Sequence, residues 1–186
     1  MNLFGLDERG FSFLYDLADK NQFLDWFLIF GAEYLIFLLG AIFIFFLLKE
    51  KDWRRRFYFF ALAFISTILS RGIITSLVRL YYDKPRPFTI LDVQTLIEHA
   101  ATPSFPSGHV AFIIPIALTV WLINRRISLW FIIGAVLIGL ARISIGIHWP
   151  SDIIGGILIG AASFFATYYL LKLKGATTNV RTGNQG

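Results

Sequence analysis

Five apolar stretches, 23–48, 57–81, 108–124, 127–147 and 151–173, fill most of this chain. Each approaches the roughly 20 residues that an α-helix needs to cross a bilayer. Inside lipid every backbone N–H and C=O must be paired within the protein, so continuous apolar runs of this length predict helices. The expected fold is all-α, a multi-pass membrane helical bundle of five spans. Only 16% of the residues are charged, against about a quarter in soluble domains, and the mean hydropathy is +0.67. The third stretch is the shortest and contains Pro115, which predicts a kink.

The formal net charge is +5, but its distribution argues against a nucleic-acid partner. The basic residues gather at the ends of apolar runs: "KEKDWRRR" at 49–56, Arg125–Arg126, and Lys172 with Lys174. Basic residues flanking spans are retained on the cytoplasmic side. With five spans all three clusters fall on one side, so the expectation is N-terminus outside and C-terminus cytoplasmic. The 82–106 connection and the turn between spans four and five then face outward.

Residues 3–20 place Phe11, Leu14, Tyr15 and Ala18 at helical spacing among acidic residues. This predicts an N-terminal interfacial amphipathic helix. Asp7, Glu8, Asp16 and Asp19 stand where a cleaved signal would be basic. Residues 1–174 form one expected membrane-embedded domain, and the polar stretch 175–186 an expected disordered tail. In the 82–106 connection, Asp92 is positioned to cap a short helix with Val93, Leu96, Ile97 and Ala100 on one face. The chain has no cysteine, which excludes disulfides and thiol chemistry.

Three polar clusters meet on the expected outer face: "RLYYDKPRP" at 79–87, "PSGH" at 106–109 and "ARISIGIHWPSD" at 141–152. They hold Arg79, Arg86, Arg142, His109, His148 and Asp152. Few carboxylates accompany them, so the cluster is a poor metal site. It is a good anion site, because guanidinium groups and helix N-termini both recognise phosphate oxygens. His148 and Asp152 are four apart and share a helical face. A carboxylate on one imidazole nitrogen fixes the tautomer and leaves the other free to attack. Ser107 is expected to cap span three, and Gly108 lets the backbone approach a ligand closely. Alone, "PSGH" would read as ordinary helix-start punctuation. Glu33 and Arg71 are ionisable residues within spans, a costly placement that often marks function; the expectation is a structural ion pair between them, with a functional role as the alternative. His99 lies outside the three clusters and reads as an interfacial residue or a support to the site, with direct catalysis as the alternative, and Gly156-x-x-x-Gly160 reads as close helix packing.

The pattern Arg79-x6-Arg86-Pro87, Pro106-Ser107-Gly108-His109, Ala141-Arg142-x5-His148-x3-Asp152 resembles the three-part signature of the type-2 phosphatidic acid phosphatase superfamily, which also includes vanadium haloperoxidases. The resemblance implies a cofactor-free, metal-free enzyme. His148 would be the nucleophile forming a phosphohistidine, Asp152 its orienter, and His109 the proton donor to the leaving oxygen. Arg79, Arg86, Arg142, Ser107 and Gly108 would bind the phosphoryl oxygens. Arg79 replaces the family's lysine, and Ala141 the family's serine. Residues 86–109 and the short chain further resemble bacitracin-resistance-type undecaprenyl pyrophosphate phosphatases, implying a polyprenyl diphosphate substrate whose second phosphate would suit Lys84. Phosphatidic acid, phosphatidylglycerophosphate and a non-enzymatic lipid-phosphate carrier remain as alternatives.

Overall fold

The computed structural model describes residues 3–18 and 20–182, with side chains for 5–18 and 20–172. Its elements are α1 (Leu3–Tyr15), α2 (Gln22–Lys49), α3 (Trp53–Tyr81), α4 (Pro87–Ile90), α5 (Gly108–Ile123), α6 (Arg125–Ser144) and α7 (Pro150–Thr182). The five expected spans are α2, α3, α5, α6 and α7. The boundary expected at 174 falls inside α7, which continues to Thr182: no proline follows Pro150 to stop it. Residues 183–186 of the expected tail lie outside the described residues.

The shortest span is the centre of the bundle. Val110, Ala111, Ile113 and Ala117 of α5 are fully buried, and α5 packs against α3, α6 and α7. By contrast Phe23, Phe37, Leu77 and Leu80 of α2 and α3 are largely exposed, the surface a bilayer would cover. Small residues bring α7 onto α5 as the Gly156-x-x-x-Gly160 spacing predicts. A Cβ at Gly156 would stand 2.8 Å from the Ser107 carbonyl oxygen, and one at Gly160 2.8 Å from Cβ of Ile114.

Pro115 sits inside α5 and has no N–H to give the Ala111 carbonyl one turn back. The Ser70 hydroxyl of α3 supplies that bond at 2.7 Å. Ser70 belongs to a π-helical turn, Ile68–Ile74, and a second π-helical turn, Phe30–Tyr34, interrupts α2. The two turns carry the intramembrane charges Arg71 and Glu33, matching the tendency of π-turns to mark functional positions.

Two local expectations are corrected. Asp92 caps no helix. The short helix is α4, opened by Pro87 at its first turn, where the missing N–H costs nothing. The residues after it are held in irregular form by other partners: the Tyr15 hydroxyl donates to Gln94 O at 2.8 Å and accepts from Gln94 N at 3.1 Å. Glu33 pairs not with Arg71 but with Arg142, at 3.1 Å. The π-turn of α2 packs on α6 there; a Cβ at Gly31 would sit 3.1 Å from Ala141 Cβ.

The N-terminal helix docks across the ends of α6 and α7. Phe11 is 1% exposed, with its ring 5.3 Å from those of Tyr15 and Trp149. At the opposite end Lys49 and Lys51 line one hollow with Ile123, the last residue of α5, two positions before Arg125.

Candidate active site

The three clusters far apart in sequence converge at one end of the bundle. Pro150 starts α7, and Asp152 falls in its first turn, with the side chain fully buried. One Asp152 oxygen, Oδ2, lies 3.0 Å from Nδ1 of His148 and accepts the Trp149 backbone N–H at 2.9 Å. That leaves His148 Nε2 facing Nη1 of Arg86 at 3.5 Å. An arginine can only donate, so Nε2 is the acceptor there, the tautomer a nucleophile needs. Burial pushes the His148 imidazole well below its ordinary 6.5; Arg142 and Arg86 push the same way, and Asp152 opposes them. The ring is therefore neutral at neutral pH.

The other Asp152 oxygen, Oδ1, accepts from Lys84 Nζ at 3.0 Å. Lys84 also donates to Asp7 Oδ2 at 2.8 Å and to the Ser151 hydroxyl. An ammonium has three donors, and all three are taken. This corrects the expectation that Lys84 waits for a second phosphate. Asp7 further accepts the Ser151 backbone N–H at 2.8 Å. A hydrogen-bonded chain thus runs Asp7, Lys84, Asp152, His148, and it ties α1 to the buried dyad. Asp7 was not legible as a site residue; the available signal was its place one turn before Phe11 on the same helical face.

Arg86 is 2% exposed and spread over the loop around it. It donates to Thr102 O at 2.9 Å and to Ile147 O at 2.8 Å. Burial, Arg79 and Arg142 lower its pKa to about 10, against Asp152, so it stays cationic. Arg79 donates to Pro106 O at 2.8 Å. Arg142 donates to Ala32 O at 2.8 Å as well as to Glu33. Ser107 occupies the N-cap position of α5, but its hydroxyl makes no capping bond, contrary to expectation. Its backbone N–H donates instead to Asp152 O at 2.9 Å, joining the "PSGH" turn to the dyad. Arg79 Nε, Arg142 Nε and Ser107 Oγ are buried and make no hydrogen bond among the described residues. Buried unsatisfied groups of this kind cost about 1–3 kcal/mol each. All three belong to residues the sequence assigns to phosphate.

His109 is partly buried in the first turn of α5. It stands at the head of a cavity of about 610 Å3 between α2, α3 and α5. The rest of that cavity is apolar apart from Thr67 and Arg71. Its rim residues Phe37, Phe64 and Ile68 are exposed on the apolar flank, so it opens sideways toward lipid. Phe60 lies at the far end of its α3 wall and Arg71 at the near end, and at 1.5 Å per residue the groove runs roughly 16 Å. His99 is half-buried in the loop, with Nδ1 3.0 Å from the Ala100 carbonyl; burial lowers its pKa. Among the described residues no group of His, Asp and Glu converges as metal ligands.

Residues 60–176 match the PAP2 superfamily. The chain belongs to that superfamily. This PAP2 protein is 32% identical over 149 residues to the undecaprenyl-diphosphatase BcrC of Bacillus subtilis (strain 168), covering 80% of this chain and 76% of that relative. It is 28% identical to the bacitracin transport permease protein BcrC of Bacillus licheniformis, over 91% and 82% of the two chains. The crystal structure of Aquifex aeolicus LpxE superposes with a TM-score of 0.73 at 25% identity, over 88% of this chain and 95% of that one. The PAP2 protein is thus a membrane-embedded phosphatase, a hydrolase of phosphate ester or anhydride bonds.

Proposed function

We propose that this PAP2 phosphatase removes the terminal phosphate of a polyprenyl diphosphate, converting undecaprenyl diphosphate to undecaprenyl phosphate on the outer face of the membrane and so recycling a cell-wall carrier lipid. The observation that carries the reading is the junction of a buried cationic pocket with an apolar groove, with His109 at the seam. A phosphate can enter the pocket while the lipid tail lies along the groove and leaves it sideways into the bilayer. The names of the two similar Bacillus proteins favour the diphosphate among lipid phosphates. The basic clusters at the far end support the outward orientation of the site.

In the proposed reaction Nε2 of neutral His148 attacks the terminal phosphorus. The N–P bond forms as the P–O bond to the lipid phosphate breaks, and the bond's electron pair leaves on that oxygen. His109 donates a proton to it. Asp152 holds Nδ1–H and stabilises the imidazolium character that grows on His148. Arg79, Arg86, Arg142, the Ser107 hydroxyl and the N–H groups around Gly108 stabilise charge on the equatorial oxygens. Water then attacks the phosphohistidine, with His109 as base, and releases phosphate.

The test is phosphate release by the purified full chain in detergent, from undecaprenyl diphosphate, phosphatidylglycerophosphate and phosphatidic acid, with His148→Ala as control. The diphosphate is expected to be cleaved with the highest kcat/KM. A preference for either monoester, or lipid movement without phosphate release, overturns the assignment. Activity that disappears in EDTA and returns with a divalent metal overturns the metal-free mechanism. Orientation is tested separately: because the chain has no cysteine, single cysteines at Asp83 and Arg125 report their sides to an impermeant maleimide on intact cells. Labelling of position 83 and protection of position 125 is the expected outcome.

A further inference from the structure

Arg71 takes no part in the three-part signature, yet it occupies a telling position. It lies in the π-helical turn Ile68–Ile74 of the membrane-span helix α3, eight residues before Arg79. A guanidinium within a span is costly unless it faces a cavity or a partner. Among the described residues Arg71 makes no hydrogen bond or ion pair, and it lines the apolar groove beside His109. Its side chain lies directly over the first residue of α5: a Cβ at Gly108 would come within 2.5 Å of Arg71 Nε and 3.0 Å of its Cζ. A side chain at 108 would therefore displace the guanidinium.

The other cations of the site are placed around the His148 dyad, where Arg79 donates to Pro106 O and the proposed reaction assigns Arg79, Arg86 and Arg142 to the phosphate that is transferred. Lys84 spends its three donors on Asp7, Ser151 and Asp152. Arg142 is bound to Glu33 and Ala32 O, Arg86 to Thr102 O and Ile147 O. Arg71 is the cation placed between the phosphoryl pocket and the tail groove. In a lipid monophosphate the group next to the departing phosphate, on the tail side, is an ester oxygen and then carbon. In a lipid diphosphate it is a second phosphate bearing full negative charge.

We infer that Arg71 binds the phosphate that stays on the lipid, and so makes this enzyme selective for lipid diphosphates over lipid monophosphates. The inference rests on the proposed function and adds to it the residue that reads the second phosphate. The guanidinium meets the non-bridging oxygens of that phosphate in bidentate fashion. During attack by His148, the electron pair of the breaking P–O bond arrives on an oxygen of this same phosphate. Arg71 then stabilises it while His109 supplies the proton.

The experiment compares wild type, Arg71→Gln and Arg71→Lys as purified full chains, on farnesyl diphosphate and on phosphatidic acid. Inhibition by methylenediphosphonate and by orthophosphate is measured alongside, so that a result exists even where monophosphate turnover is slow. Arg71→Gln is expected to lower the diphosphate-to-monophosphate ratio of kcat/KM by roughly 10- to 100-fold, the range for losing a charged hydrogen-bond partner. It is expected to erase the preference for methylenediphosphonate over orthophosphate to a similar degree. Arg71→Lys restores part of both. If wild type cleaves the diphosphate but both ratios stay put in Arg71→Gln, the role of Arg71 is overturned and the proposed function stands. If wild type fails to cleave the diphosphate, the proposed function falls, and Arg71 as its selectivity residue falls with it.

Discussion

The two halves of the site are built on opposite terms. At the end of the bundle, polar groups are locked to one another: Asp7, Lys84, Asp152 and His148 form a buried chain, and Arg86 is anchored to the carbonyls of Thr102 and Ile147. One turn deeper, between α2 and α3, the walls are apolar, the rim is exposed and Arg71 has no partner among the described residues. The contrast suits the proposed reaction. Phosphoryl transfer needs groups fixed to a fraction of an ångström, and packing with hydrogen bonds provides that. A flexible hydrocarbon tail needs only an apolar path that joins the bilayer.

Breaking the locked half has the largest expected effect. His148→Ala removes the nucleophile and is expected to lower phosphate release by ~10^4-fold or more, while the protein still inserts and elutes as the wild type does. A residual rate within tenfold of wild type would remove His148 from the chemistry. Asp7→Asn tests whether the lock extends to α1. It leaves Lys84 paired with Asp152 but loosens α1, and the expected cost is about 2 kcal/mol of stability, below the 3–5 kcal/mol of a fully orphaned buried charge. An activity loss of roughly tenfold should accompany it. An unchanged melting temperature together with unchanged kcat would show that α1 is not coupled to the dyad.

The open half should respond more mildly and through KM. A Cβ at Gly40 would meet nothing within 4 Å, so Gly40→Leu fills the groove without straining the bundle. KM for undecaprenyl diphosphate is expected to rise about fivefold, equivalent to ~1 kcal/mol, with a smaller change for a short-chain diphosphate. Equal changes for both chain lengths would mean the tail does not lie there. The smallest effect is a displacement along the pH axis. Because burial depresses the His148 pKa, the ring stays neutral as pH falls through 6.5. The acid limb of kcat/KM, which reports the free enzyme, should lie below that value. The stabilising effect of the neutral ring carries the same sign: it is full above 6.5 and is lost as pH falls through the lower folded value. An acid limb at or above 6.5 would contradict the burial of the nucleophile.

Much of this was legible in order and spacing. Span lengths are fixed by bilayer thickness, so five apolar runs were enough to name five helices, with only the end of α7 falling well beyond its expected limit. The His148–Asp152 contact was legible because four residues make one helical turn. The partners of the intramembrane charges were not. Glu33 could have met Arg71 or Arg142, and only the packing of the α2 π-turn against Ala141 selected Arg142. Lys84 read as a spare cation until Asp7, 77 positions away, was seen to occupy it. Ser107 read as a cap until the fold directed its backbone to Asp152 and left its hydroxyl unused.

The sequence by itself determined the apolar spans, the family signature and the helical spacing of the His148–Asp152 pair, because these depend on local period, length and residue type. Tertiary structure alone decided which of the charged side chains pair with one another. Charge pairing acts over a few ångströms between helices, and no local pattern encodes which side chains from different helices arrive at the same point.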